Sequence, residues 1–376
     1  MLLAVAFGWF LSISVRMIYP ALLPHLRGAY DLTLTTAGLL LTVLRIAYAV
    51  GQLPGGILAD WAGERLLLIA SSLLAATMFA LVVVAESVVV PSLATALFGA
   101  GTALYGVSRF TILNEIHSDQ LGTATGVTMA AGDLGNAVMP PAAGFVAAAV
   151  AWQYGFGIAV PLFVLAAVGL WTTLPRQEPA ATPLSESLAD DVVPTLSRPV
   201  VLRGTALLVL WSVIIQAFTG CYPTYLVDLK GVSVGVATAL FGFFFALGIL
   251  LKPIAGRAYD SMGVRIPLLA ITSAAGLALV ALPFAGDVPL VGLLTVLASG
   301  LLGFETILIS DLTRRLPDGT EGTNMGALRT VYICVGSLSP VLFGAVADRG
   351  HFDAAFVGVA ALAGVVVLVV FVSIDY

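Results

Sequence analysis

Gly56-Ile-Leu-Ala-Asp60-Trp-Ala-Gly63-Glu-Arg65 returns 200 residues later as Gly256-Arg-Ala-Tyr-Asp260-Ser-Met-Gly263-Val-Arg265. Both copies read G-x-x-x-D-x-x-G-x-R, and each is a polar turn set between long apolar stretches. The register holds outward from this turn. Gly122-Thr-Ala-Thr-Gly126 matches Gly322-Thr-Asn-Met-Gly326, and Pro140 and Gly144 match Pro340 and Gly344, at the same offset of 200. Earlier in each half the offset is 203, with Tyr19-Pro20 answering Tyr222-Pro223 and Arg27 answering Lys230. Chance does not keep register across so much chain, so the two halves read as an internal duplication.

The chain is 376 residues long, 60% hydrophobic and only 10% charged. A soluble domain carries about 25% charged residues. This chain is therefore read as an integral membrane protein whose main partner is the lipid bilayer. A net charge of −5 gives no case for nucleic acid. Two cysteines, Cys221 and Cys334, and three scattered histidines allow neither a disulfide framework nor a four-ligand metal site. The first apolar segment starts at Leu2, with no basic region before it and no small-residue cleavage site. It reads as a membrane helix and not as a signal peptide.

A helix needs about 20 mostly apolar residues to cross the hydrocarbon core. Twelve such segments can be drawn, at 2–23, 34–58, 66–85, 88–112, 123–147, 153–174, 202–226, 234–257, 266–285, 288–311, 322–346 and 353–374. The expected fold class is an all-α membrane protein with two six-helix bundles related by the repeat. Residues 1–175 would form the first bundle and 200–376 the second. Residues 176–199, with Pro179, Pro183, Pro194 and four carboxylates, read as the linker between them. With the N-terminus inside, cytoplasmic loops hold eight Lys/Arg and external loops three. That imbalance puts both termini in the cytoplasm, the linker and both polar turns with them.

Each residue type in the turn has a physical use. Gly56 and Gly256 suit close helix approach. Gly63 and Gly263 suit a tight loop with positive φ. Asp60 and Asp260 could cap a neighbouring helix N-terminus, and Arg65 and Arg265 could bond carbonyls or carboxylates across the interface of the two bundles. Such contacts would hold in one state and break in the other, making the turn a conformational gate. The pattern resembles the loop between helices 2 and 3 of the major facilitator superfamily and its echo between helices 8 and 9. The likeness extends to the six-plus-six count, the central linker, Trp152-Gln-Tyr-Gly-Phe156, and Gly132-x-x-Gly135 followed by Pro140 and Gly144. The resemblance implies a transporter that alternates access around a central cavity walled by helices 1, 4, 7 and 10. The spacing of Arg16 to Pro24 is similar to that of the phosphate-gripping arginine of the organophosphate and anion transporters within this family.

A charge at the bilayer centre costs at least about 2.5–3.5 kcal/mol on insertion scales, so those that persist face a cavity or a partner. Arg16, Arg45, Asp133, Glu305 and Arg329 fall inside predicted helices. Arg16, Arg45 and Arg329 have Thr219, Phe245 and Met129 as repeat counterparts, so the shared scaffold does not require them. They are the substrate-binding or coupling candidates, with Asn136, Gln216, Tyr222 and Tyr332 as further hydrogen-bonding residues. The competing reading makes Arg45 with Asp133, or Glu305 with Arg329, buried pairs that only position helices. Arg109 and Lys252, near helix ends, read as structural, with Asp60, Glu64 or Glu115 as partners for Arg109.

The expected function is secondary active transport of a small solute, an organic or inorganic anion, by a monomer with or without a coupling proton or ion. Arginine suits carboxylate and phosphate through its fixed fork of donors. The alternative is proton-coupled efflux of drugs or sugars, and a more remote one is a solute sensor on a transporter scaffold. No H-E-x-x-H, G-x-S-x-G or P-loop occurs, which argues against an enzyme, a cofactor and direct nucleotide drive by this chain.

Overall fold

The computed structural model describes residues 1–116, 121–176, 198–315 and 321–373. Side chains at 53, 56, 57, 60, 61, 114, 121–123, 321–324 and 373 lie outside that description, as does most of the expected linker. Two residues of the repeated turn, Gly56 and Asp60, are affected.

Twelve helical passages follow one another, and there is no strand among the described residues. They are α1 (Leu2–Tyr30), α2 (Leu34–Ala62), α3 (Glu64–Val84), α4 (Val89–Ile116), α5 (Leu121–Ala149), α6 (Trp152–Gly157 and Ala159–Thr173) and α7 (Pro199–Asp228). Then come α8 (Val234–Met262), α9 (Arg265–Ala281), α10 (Val288–Ala298 and Leu301–Thr313), α11 (Glu321–Gly336 and Ser339–Ala347) and α12 (Phe352–Ser373). Eleven of them are long and apolar enough to cross a membrane. The remaining one, α5, has the length at 29 residues, but Gly, Thr, Pro, Asp133 and Asn136 dilute its hydropathy. Its polar positions belong to the site described below.

The chain forms two compact units. The first comprises Met1–Leu32, Leu40–Leu184 and Leu226–Gly242, and the second Thr33–Leu39, Ser185–Tyr225 and Phe243–Tyr376. In the first unit α1 packs along α5, and α3 against α4 and α6. Glycine sets the first of these distances, because a Cβ on Gly135 would lie 2.6 Å from the main-chain oxygen of Phe10. Phe79, buried in the same unit, meets Phe98 edge-on at 4.7 Å between ring centres. The Arg27 guanidinium pairs there with Asp228. In the second unit α9 packs on α10 and α12. There Asp348, just past α11, accepts from the backbone N–H of Leu34 at 2.7 Å and of Thr35 at 2.8 Å, capping α2.

Candidate functional site

The first unit gathers a polar and aromatic cluster on α1, α2, α4 and α5. Trp9, Ser12 and Arg16 recur at the i, i+3, i+7 spacing that puts them on one helix face. The Arg16 guanidinium lies 3.9 Å from the ring centre of Tyr48 and 6.0 Å from that of Trp9. Its Nε donates back to the Ser12 carbonyl at 3.0 Å, which fixes the side chain along α1. On α4, Arg109 is 1% exposed and stands 3.2 Å from the Trp9 ring centre and 4.2 Å from that of Phe110. Such cation–π contacts strengthen as water is excluded. One turn away on α4, the Tyr105 hydroxyl donates to the Val5 carbonyl at 2.9 Å and ties α4 to α1.

Several polar atoms in this cluster are buried without a protein hydrogen-bond partner among the described residues. They are Trp9 Nε1, Ser12 Oγ, Ser108 Oγ and Asn136 Oδ1. Each such group carries a desolvation cost of about 1–3 kcal/mol until something bonds it. Gly132 leaves the room that Trp9 occupies, since a Cβ there would fall 2.6 Å from the indole nitrogen. Asp133 and Asn136 follow on the same helix. Arg16, Arg45 and Asp133 are half-buried, neither sealed in packing nor open to lipid.

The second unit has its own cluster on α7, α10 and α11. The Tyr332 hydroxyl donates to Glu305 Oε1 at 2.6 Å, and Arg329 engages the same hydroxyl. Trp211 supports this pair. Its indole N–H donates to the Leu301 carbonyl at 2.8 Å, its ring lies parallel to Phe304, and it meets Tyr332 edge-on. Gln216 Nε2 bonds Ser212 Oγ at 2.7 Å. Glu305, Arg329 and Gln216 are half-buried. Tyr222 differs from the other candidates. It is fully buried, stacked on Phe218 and bonded to Thr295, so its hydroxyl is engaged inside the packing of α7 against α10.

The repeated turn departs from expectation in three respects. Gly63 and Gly263 do have positive φ, at 82° and 74°. Gly256 is not a point of close approach, because the nearest atom to a Cβ there would be 4.0 Å away. Asp260 does not cap a helix but pairs with Arg314 at 3.0 Å. The arginines do bond carbonyls, within their own units. Arg65 donates to the Trp171 carbonyl at 2.6 Å and lies over its ring at 5.3 Å. Arg265 does the same to Phe371 at 2.9 Å and 5.0 Å. The separation is 106 residues both times, so the duplication preserves the contact and not only the motif.

Trp9, Tyr48, Ser108 and Arg109 were not among the sequence candidates. An aromatic at helical spacing reads as packing, and Arg109 reads as an end-of-helix charge. The available signal was the face shared by Trp9, Ser12 and Arg16.

Comparison with known proteins agrees with this architecture. The hexuronate transporter of Bacillus subtilis (strain 168) is 26% identical over 221 residues, which cover 56% of this chain and 52% of that one. The match thus spans about half the length of that relative. An uncharacterized 38 kDa protein in a 23S RNA operon of Thermoproteus tenax is 28% identical over 354 residues, 92% of this chain and 88% of that one. Among solved structures, the nucleoside transporter NupG superposes over 100% of both chains with a TM-score of 0.86 at 12% identity. The D-xylose-proton symporter superposes over 100% of this chain and 97% of that one, with a TM-score of 0.81 at 15% identity. At such identities the likeness is one of fold. The family model for the Major Facilitator Superfamily matches residues 5–337. This chain, with its all-helical fold of twelve passages and its internal repeat, belongs to the major facilitator superfamily of membrane transporters.

Proposed function

We propose that the protein is a secondary active transporter of a small organic anion, a sugar acid or similar carboxylate, with Arg16 as the residue that grips it. The observation that carries this reading is the half-buried Arg16 guanidinium held between Tyr48 and Trp9. Beside it lie the buried, unsatisfied Trp9 Nε1 and Ser12 Oγ, and α5 adds the unsatisfied Asn136 Oδ1. Aromatic faces hold the guanidinium plane, and the fixed fork of an arginine suits a carboxylate. The relative named a hexuronate transporter supports the same class, since a hexuronate is a sugar carboxylate.

The pairing of Glu305 with Tyr332 supports a proton as the coupling ion, with Glu305 as its carrier. In this reading the chain works as a monomer in the cytoplasmic membrane with both termini inside. Residues 1–175 and 200–376 act as the two bundles and 176–199 as the linker. The repeated turn gates the change of state.

Uptake of labelled glucuronate, xylose and a cationic drug into proteoliposomes tests the proposal. Saturable glucuronate uptake whose KM rises about a hundredfold in Arg16→Gln is the expected result. Xylose or drug transport unaffected by Arg16→Gln overturns it in favour of proton-coupled sugar or drug movement.

A further inference from the structure

Tyr19-Pro20 in α1 returns as Tyr222-Pro223 in α7, and the repeat preserves a contact of the tyrosine as well as the pair. The Tyr19 hydroxyl is bonded to that of Thr95 on α4 at 2.9 Å. The Tyr222 hydroxyl is bonded to that of Thr295 on α10, and Thr295 is the repeat counterpart of Thr95. Each threonine also reaches the carbonyl four residues before it, Pro91 at 2.6 Å and Val291 at 2.7 Å. All four side chains are buried. Each pair therefore fastens two helices within one unit, α1 to α4 in the first and α7 to α10 in the second.

What stands beside the fastening differs between the units. Ser12, Arg16 and Tyr19 follow the i, i+4, i+7 spacing of one face of α1. α4 meets α1 on both sides of Arg16, through Arg109 against Trp9 at 3.2 Å and through Thr95 at Tyr19. Proline has no N–H to give to the carbonyl four residues back. Pro20 thus removes the rung of α1 that would run from residue 20 to Arg16, and a helix bends most readily at such a gap. In α7 Pro223 removes the matching rung at Thr219, the counterpart of Arg16. The duplication keeps the bond and the proline in both units, and places a cation at the weakened turn in only one.

We infer that Tyr19, acting through Thr95, is a positioning residue for Arg16. The bond holds the weakened turn of α1 against α4 and so sets where the guanidinium stands. Tyr19 is sealed in packing, with its ring 5.0 Å from that of Phe156 and 5.9 Å from that of Phe79, and it acts on the solute only through Arg16. This inference rests on the proposed role of Arg16 in gripping the solute. Tyr222 with Thr295 supplies the same fastening beside Thr219, where there is no guanidinium to place.

Matched substitutions in the two units test this. Thr95→Val and Thr295→Val each remove the bond at nearly constant volume, and should lower the Tm of the full chain in detergent by similar amounts. Only Thr95→Val should raise KM for glucuronate, about threefold at unchanged kcat, the factor carried by an interhelical hydrogen bond of about 0.6 kcal/mol. Tyr19→Phe keeps the ring contacts and should reproduce that rise, whereas Thr95→Ser keeps a hydroxyl and should stay close to wild type. A second readout needs no solute. The Nε–H resonance of Arg16 in isotope-labelled protein, assigned by its loss in Arg16→Lys, should shift in Thr95→Val and Tyr19→Phe and stay in place in Thr295→Val. A resonance unmoved in Thr95→Val would overturn the inference, as would a KM unchanged in Thr95→Val or raised equally in Thr295→Val. Absence of glucuronate uptake by the wild-type protein would overturn the solute reading alone, because the resonance reports the placement of Arg16 by itself.

Discussion

The Tyr332 hydroxyl donates a hydrogen bond to Glu305 at 2.6 Å across the α10–α11 contact. The bond as drawn requires an acceptor oxygen on Glu305. A protonated carboxyl has a donor of its own and would rearrange the pair with Arg329, which engages the same hydroxyl. A hydrogen bond to a charged group contributes about 1.5–3 kcal/mol, enough to bias two conformations of a helix pair. Glu305→Gln should therefore abolish proton-driven accumulation while leaving solute exchange between loaded vesicles intact. Proton-gradient and counterflow assays separate the two. If Glu305→Gln and Asp133→Asn both keep the pH dependence of transport, the coupling assignment fails.

Arg16 makes the sharpest claim on substrate class. Lysine keeps the charge but not the planar fork or the stacking on Tyr48. Arg16→Lys should raise KM about tenfold and Arg16→Gln about a hundredfold, the range spanned by losing hydrogen bonds of about 1.5–3 kcal/mol. Trp9→Phe should preserve the contact with Arg109 and cost a smaller factor, through the lost indole N–H. A KM unchanged in Arg16→Gln would leave Arg16 as a helix-positioning residue.

The duplicated contacts from Arg65 to Trp171 and from Arg265 to Phe371 predict matched effects. Each combines a hydrogen bond to a carbonyl with a cation–π contact at an exposed site, together about 1–2 kcal/mol. Arg65→Ala and Arg265→Ala should each lower the Tm of the detergent-solubilised protein, by similar amounts. A drop in only one variant would mean that the shared 106-residue separation carries no shared energetic role.

These cases mark what was legible in the sequence. Apolar length and the offset of 200 locate the helices and the repeated turn, because lipid imposes length on every spanning segment. The end of α1 was less legible. The apolar segment is drawn to residue 23, yet the helix runs on past Pro20 and Pro24 to Tyr30 and ends at Asp31 with φ of 50°. Neighbouring helices and local adjustment satisfy the backbone groups that proline frees. The partners of Arg65, Arg109 and Asp260 were not legible, because they depend on which helix ends meet in three dimensions. Trp171 lies 106 residues from Arg65, and no local spacing encodes that distance. Arg109 shows the same limit, since its contact with Trp9 depends on α1 and α4 meeting in three dimensions.

Asp348 offers a test of the end of α2. Its carboxylate accepts from the N–H of Leu34, the N–H of Thr35 and the Thr35 hydroxyl. Partial burial pushes the carboxyl upward, but the hydrogen bonds from Thr35 and Leu34 outweigh it, and the group is held below the usual aspartate range. A lowered folded-state value means that the cap contributes fully above the ordinary aspartate range and is lost as pH falls through the lowered value. Amide exchange at residues 33–39 should therefore follow only its intrinsic rate between pH 8 and about 6, with protection failing in strongly acid conditions. Replacing a cap by alanine costs about 0.5–2 kcal/mol, and Asp348 is exposed, so the low end applies. Asp348→Ala should speed exchange of the Leu34 and Thr35 amides a few-fold at neutral pH, as measured by mass spectrometry. Asp348→Asn, which keeps an acceptor oxygen, should fall between wild type and Asp348→Ala. Unchanged protection in Asp348→Ala would show that α2 begins where it does without this cap.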